Sequence, residues 1–349
     1  MKHSIFAIVT LAGMGAASAQ TAASSVEVFG VADVAYSVGN GDLSNRSRLT
    51  SGAQSTSRLG FRGGRSFANG LKASFWFEAG VNADVGSGTA TNSNNQTGTA
   101  LADTGTQGVT FNRRSTVSLS GGFGEIRAGR DFAAHYLNVG QYDTFGVVGV
   151  GASRPFVLSN AGVSFTRVSN SIAYFTPSFG GFRFEAQTYL GENSSTASDI
   201  GSGSSFRASF DQGPLSLGVA YGKTNTGATT DVQYSNLGGS YDFGAAKIMA
   251  FVSKESNTKL ADVNGYLVGV RVPAGPGYVR ASVSNTDNGT AKSNQVAAGY
   301  VYNLDKQTDI YVTVATLNNS GGATAALNAS TVKANSSSSG YDIGIKYAF

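Results

Sequence analysis

The chain has 349 residues, of which 47 are glycine, 5 are proline and none is cysteine. Only 13% are charged, with a net charge of +4, against about a quarter charged in a typical soluble domain. The missing cysteines exclude a small disulfide-stapled domain. The longest Lys/Arg run is Arg113-Arg114, so the weak, dispersed positive charge excludes a nucleic-acid surface. No apolar run approaches the ~20 residues of a spanning helix, which excludes a helical membrane protein. Hydrophobicity spread thinly along the chain suits a sheet that shows lipid every second side chain. A secreted β-sandwich or β-helix is the alternative from composition.

The N-terminus reads as an address. Lys2 and His3 precede a mostly apolar Ile5–Leu11, and Ala17-Ser18-Ala19 offers small residues for cleavage. Residues 1–19 are therefore expected to be a signal peptide and 20–349 a single exported domain of net charge +3 after loss of Lys2.

Strand-like alternation then recurs sixteen times. The predicted strands are Val26–Val38, Ser57–Arg62, Leu71–Glu78, Arg113–Ser120, Glu125–Arg130, Ile172–Thr176, Phe182–Leu190 and Ser205–Phe210. They continue with Leu215–Tyr221, Val232–Tyr241, Ala246–Lys254, Gly265–Val272, Gly277–Ser284, Gln295–Tyr302, Asp309–Leu317 and Gly340–Phe349. Short Gly/Asn/Pro turns at 67–70, 121–124, 177–181, 211–214 and 303–306 alternate with long polar connections at 83–107, 132–166, 191–204 and 318–339. That alternation, at roughly twenty residues per strand and connection, predicts an all-β, 16-stranded antiparallel transmembrane β-barrel with short periplasmic turns and long external loops. Hydrocarbon cannot satisfy a free strand edge, so the sheet must close. At sixteen strands the barrel encloses water.

Parity sorts the faces. Val117 and Leu119 oppose Arg114, Thr116, Ser118 and Ser120, while Leu71, Ala73, Phe75 and Phe77 oppose Lys72, Ser74, Trp76 and Glu78. In the last strand every odd residue from Tyr341 to Phe349 is apolar. The terminal Phe349 resembles the signal read by bacterial barrel-assembly machinery. Together with the export address, it favours lipid over a protein core as the environment of the apolar face. Tyr174, Phe179, Phe182, Tyr189, Tyr221, Tyr241, Phe243, Tyr300, Tyr302, Tyr311, Tyr347 and Phe349 are candidates for interfacial girdles.

Chemistry-bearing residues are sparse. His135 is the one histidine beyond residue 19, no His/Cys/carboxylate cluster has metal-ligand spacing, and neither catalysis nor a cofactor is expected. Gly218–Thr224 imitates a phosphate loop one residue short, at a strand end and not before a helix. What stands out is arginine at polar strand positions: Arg58 and Arg62 opposite Leu59 and Phe61, Arg114 opposite Val117 and Leu119, Arg127 opposite Ile126 and Ala128, and Arg167 opposite Ile172 and Tyr174. An arginine at the lipid midplane costs about 2–4 kcal/mol, so the lumen is the cheaper place. Solvated lumen residues paired with Glu78 and Glu125 would look the same. The connection 132–166 carries a single acid, Asp143, with His135 and Arg154. A basic wall facing a nearly neutral loop selects anions.

Several blocks together resemble the general porins of β-proteobacteria, particularly their anion-selective members. They are Val26–Val31 with Asp33, Ser55–Gly63, Asn69–Ala73, Arg113–Ser120, Gly122–Asp131 and Ser171–Phe182. The resemblance covers essentially the whole mature chain. It implies a homotrimer in outer-membrane lipid and lipopolysaccharide, a pore-constricting third loop, and small hydrophilic, chiefly anionic solutes as cargo. It also places Arg58, Arg114 (or adjacent Arg113) and Arg167 at the constriction; parity favours Arg114, a β-bulge would favour Arg113, and Arg62, Lys72, Arg127 and Arg130 are the next candidates from their charge. The chain departs from the family at Gly63-Gly64-Arg65-Ser66, where an acidic pair is commoner. A plugged adhesive barrel, or a hydrolase using His135, remains the alternative.

Overall fold

The computed structural model describes residues 24–89, 95, 108–153, 166–192, 199–227 and 229–349. The proposed signal segment and Arg154 lie outside them. The described strands are β1 (Ser24–Asn40), β2 (Arg46–Ser51), β3 (Arg58–Ser66), β4 (Lys72–Asn82), β5 (Ser87–Gly88), β6 (Arg114–Gly121), β7 (Gly124–Phe132), β8 (Arg167–Phe175) and β9 (Phe182–Tyr189). They continue as β10 (Gly203–Gln212), β11 (Leu215–Gly227), β12 (Thr230–Asp242), β13 (Lys247–Asn257), β14 (Val263–Ala274), β15 (Gly277–Asp287), β16 (Lys292–Asn303), β17 (Thr308–Ser320) and β18 (Ser338–Ala348). One helix, α1 (Ala134–Tyr142), follows β7.

Neighbouring staves pair antiparallel, and β1 pairs with β18 to close the sheet. The eighteen strands make sixteen barrel staves. β2 and β3 both run along β1 and form one interrupted stave, while β5 is a short hairpin on the end of β4. Each predicted strand corresponds to one stave.

Closure by hydrogen bonding leaves the faces to be sorted by polarity, and the outer face is apolar. Val117, Leu119, Ile126, Ile172, Phe184, Val219, Leu237, Val252, Val283, Val296 and Ile345 are all exposed on it. Val117 is 61% exposed, which is incompatible with the core of a soluble sandwich and proper to lipid. Phe179, Phe182, Tyr241, Phe243, Tyr302, Tyr347 and Phe349 are exposed near the turn end of the barrel, at headgroup depth. Two girdle candidates are corrected. Tyr189 and Tyr311 are buried on the lumen side, where their hydroxyls donate to the Lys223 carbonyl (2.9 Å) and to Asp33. An aromatic near a strand end fits the girdle pattern on either face, and here parity turns it inward.

The connections also differ from the strict short–long alternation. The external connections between β11 and β12, β13 and β14, and β15 and β16 are as short as the periplasmic turns. Their strands run on to 11–13 residues, using sequence that would otherwise be loop.

Candidate functional site

The described part of the third external connection, 133–153, folds into the barrel. Its helix α1 lies on the lumen face of β9–β13, and the segment after it continues round the wall. Ala134 N donates to Gln187 Oε1 and Ser205 Oγ, Asn138 Nδ2 to Asn236 Oδ1, and Asn236 Nδ2 to the His135 carbonyl. Val139 and Tyr142 pack with Val232, Tyr234, Phe251 and Leu267. Beyond the helix, Phe145 and Val150 pack with Ala297, Ala315, Leu317 and Leu327 on β16, β17 and the last external loop. Val150 N donates to Asp342 of β18 (2.6 Å).

The wall makes room by omitting side chains. A Cβ on Gly218 would run into Asn138, one on Gly222 into the His135 ring, and one on Gly238 into Tyr142. The spacing that imitates a phosphate loop in the sequence is a seat for α1.

Two loop residues singled out in the sequence are turned away from the passage. His135 is buried and stacked on Tyr234, with ring centroids 4.9 Å apart. Asp143 is buried and accepts from Phe145 N (2.6 Å), Ser153 N (3.0 Å) and the Ser153 hydroxyl. The loop's one described carboxylate is therefore spent on bracing the loop itself.

Because the loop occupies the β9–β18 side, the remaining opening lies against β1–β8, where the basic residues stand. Arg58, Arg62, Lys72, Arg113, Arg114, Arg127, Arg130 and Arg167 are on or beside this wall, against Glu27, Glu78, Glu125 and Asp131. Glu78 draws in two of them, with Arg113 Nε at 2.5 Å and Arg58 Nε at 4.0 Å. Asp131 takes Arg127 at 2.7 Å and Arg114 at 3.4 Å, and Glu125 takes Arg127 at 3.0 Å. Glu27 holds Arg62 through two hydrogen bonds of 2.7 and 2.8 Å. Trp76 separates two of the cations, with the Arg62 and Arg114 guanidinium carbons 4.9 and 4.5 Å from its ring centroid. Such contacts are worth about 0.5–2 kcal/mol and hold flexible side chains in place.

Parity served these residues unevenly. Arg58, Arg62, Arg114 and Arg127 make lumen-side contacts, as alternation predicts. Arg113, just before β6, also reaches Glu78, because alternation does not govern a residue outside the strand. At Arg167 the alternation breaks. The register between β7 and β8 shifts at Gly129/Asp131, and Asn170 has φ +55. Arg167 is nevertheless gathered into the cluster, donating to the Arg113 carbonyl (2.9 Å) and lying 4.3 Å over Phe132. It is 8% exposed. Arg130 is equally buried and donates to the Asn112 carbonyl and Ser169 Oγ. Lys72 is exposed nearer the turn end. Arg65, at the family departure, lies 5.8 Å over Phe67 beside the same turn.

Sequence reasoning missed the arginines that hold the loop. Arg207 donates to Asn138 Oδ1 (2.6 Å), and Arg271 donates twice to the Thr144 carbonyl (3.1 and 2.6 Å). Arg280 lies 4.3 Å over Phe145. Their polar parity was legible, but the loop they grip was not.

A closed sixteen-stave barrel, apolar outside, with an inward loop facing a charged wall, defines an outer-membrane channel. Residues 7–323 match the Gram-negative porin family, and the chain belongs to it. It is 37% identical to outer membrane porin protein 32 of Delftia acidovorans, with all of both chains covered. It is 26% identical to an outer membrane porin protein of Bordetella pertussis, over 89% of this chain and 93% of that one. Among solved structures it is similar to the anion-selective porin from Comamonas acidovorans, with a TM-score of 0.82 and 33% identity, covering 94% of this chain and 100% of the other. The protein is thus a β-barrel porin of a Gram-negative outer membrane.

Proposed function

We propose that this porin passes small hydrophilic solutes passively and favours anions, with Arg58, Arg114 and Arg167 as the charges that set the preference at the narrowest region. The observation that carries this reading is the pairing of a wall rich in arginine with a loop whose one described acid, Asp143, is turned into its own backbone. Arginines in ion pairs still leave net positive potential when they outnumber the carboxylates, and such a potential lowers the barrier for anions. Arg113 shares Glu78 with Arg58 and joins the same charge cluster. Similarity to an anion-selective porin supports the same reading. Residues 1–19 serve as the cleaved export signal, and Phe349 as the mark read during barrel assembly. The functional unit is a homotrimer in lipid and lipopolysaccharide, whose apolar outer face serves both lipid and neighbouring subunits. No catalytic step, cofactor or metal is assigned to it.

The test is the zero-current potential of purified protein in planar bilayers under a chloride gradient. Its sign should correspond to anion preference. A cation-preferring sign would overturn the electrostatic reading and leave the channel intact.

A further inference from the structure

The interrupted stave carries more arginine than the constriction uses. Between Val34, which pairs with Ser51, and Val31, which pairs with Arg58, β1 spends two residues, Ala32 and Asp33. The facing stave spends six there, Gly52–Ser57. The excess of four is even, so the same parity faces the lumen above and below the break. Below it stand Arg58 and Arg62. Above it the lumen face is marked by Thr50, whose hydroxyl is 2.6 Å from that of Ser37, a buried residue that pairs with Asp342 beneath the inward loop. Two and four residues further out on that face come Arg48 and Arg46, both exposed. Among the described residues neither makes an ion pair. The nearest acid along the chain, Asp42, is occupied by Lys333 N (2.8 Å) and the Ser336 hydroxyl (2.9 Å), while Lys333 adds a further positive charge.

We infer that Arg46 and Arg48 form an anion-collecting mouth, so that one stave carries basic side chains from the external opening, past the constriction, to the periplasmic half. The inference rests on the anion reading above and adds the residues that feed the constriction. A fixed charge at a pore mouth raises the local concentration of counter-ions and hence the entry rate. It acts only within a Debye length, about 30 Å at 0.01 M salt and about 3 Å at 1 M.

The test is single-channel conductance of Arg46→Ser/Arg48→Ser, with anions driven from each side, at ~0.01 M and 1 M chloride. Conductance at low salt should fall by roughly a third or more, the loss being larger when anions enter from the external side, and conductance at 1 M should be unchanged. Arg46→Lys/Arg48→Lys keeps the charge and should behave as the parent. If the parent prefers anions but the serine variant keeps its low-salt conductance, or the lysine variant loses it equally, the mouth assignment is wrong while the constriction reading stands. If the parent prefers cations, both fail.

Discussion

The two halves of the barrel wall use the same residue for opposite ends. On β3–β8, arginines share a few carboxylates, which on the proposed reading leaves net charge facing the opening. On β10, β14 and β15, Arg207, Arg271 and Arg280 spend their donors or guanidinium faces on the inward loop, gripping a side-chain oxygen, a backbone carbonyl and a ring. On the proposed reading, the first group sets what passes and the second sets how wide the passage is. The difference lies in the partner. A loop segment of 132–153 must have its backbone polar groups satisfied inside the barrel, and the wall beside it supplies donors. On the other wall Arg58, Arg62, Arg113, Arg114 and Arg127 meet side-chain carboxylates instead, while Arg130 and Arg167 donate to the Asn112 and Arg113 carbonyls.

The largest effect should come from removing the charge-setting group. On the proposed reading, Arg58→Ser/Arg114→Ser/Arg167→Ser takes three positive charges from the narrowest region and widens it. A unit charge ~4 Å away is worth about 1 kcal/mol in a water-like medium, so anion preference should fall by roughly tenfold or more while conductance holds or rises. Unchanged selectivity would move the charge to Arg62, Lys72, Arg127 and Arg130. In the parent protein, selectivity should also weaken steadily from 0.1 M to 1 M salt, as screening shortens the reach of these charges.

The loop-holding wall should respond in width and noise, not in sign. Gly238→Leu places a side chain where Tyr142 packs, and overpacking of this kind costs about 1–3 kcal/mol. The barrel should still fold, with α1 displaced toward the arginines and conductance lowered. Conductance and noise identical to the parent would show that the seat is not needed. Arg271→Gln removes charge-assisted bonds to Thr144 worth about 1.5–3 kcal/mol. Loosening should appear as added sub-states in single-channel records, with reversal potential nearly unmoved. A large shift of that potential would place Arg271 with the charge-setting group.

The smallest effect concerns the rim. Asp42 accepts the Lys333 backbone N–H and the Ser336 hydroxyl, which hold its carboxyl below the ordinary range. A depressed carboxyl stabilises above its unfolded value of about 3.9 and loses that contribution as pH falls through the folded value. The contact between the first and last external loops should therefore hold at neutral pH and weaken below ~pH 4. Channel noise of the parent in acid should match that of Asp42→Asn at pH 7. An acid response of equal size in Asp42→Asn would remove Asp42 as its source.

Most of the fold was legible because a membrane barrel repeats one rule at every stave. Polar and apolar residues alternate, and turns punctuate them. Val117 and Leu119 against Thr116 and Ser118 needed no neighbour to be assigned. Local counting failed where the chain leaves the regular strand. Arg113 precedes β6, and Arg167 lies across a register shift from the rest of β8.

The amino-acid sequence alone determined the sixteen staves, the sorting of faces and the surplus of arginine, because each follows from spacing along one strand or from composition. Only the tertiary structure decided which arginines face water and which grip the loop, that Asp143 and His135 are withdrawn from the passage, and that Gly218, Gly222 and Gly238 are a seat for α1. Those assignments depend on contacts between segments far apart in the chain, such as Val150 N with Asp342. Parity fixes which side of the wall a residue faces, but not what the folded chain has placed there.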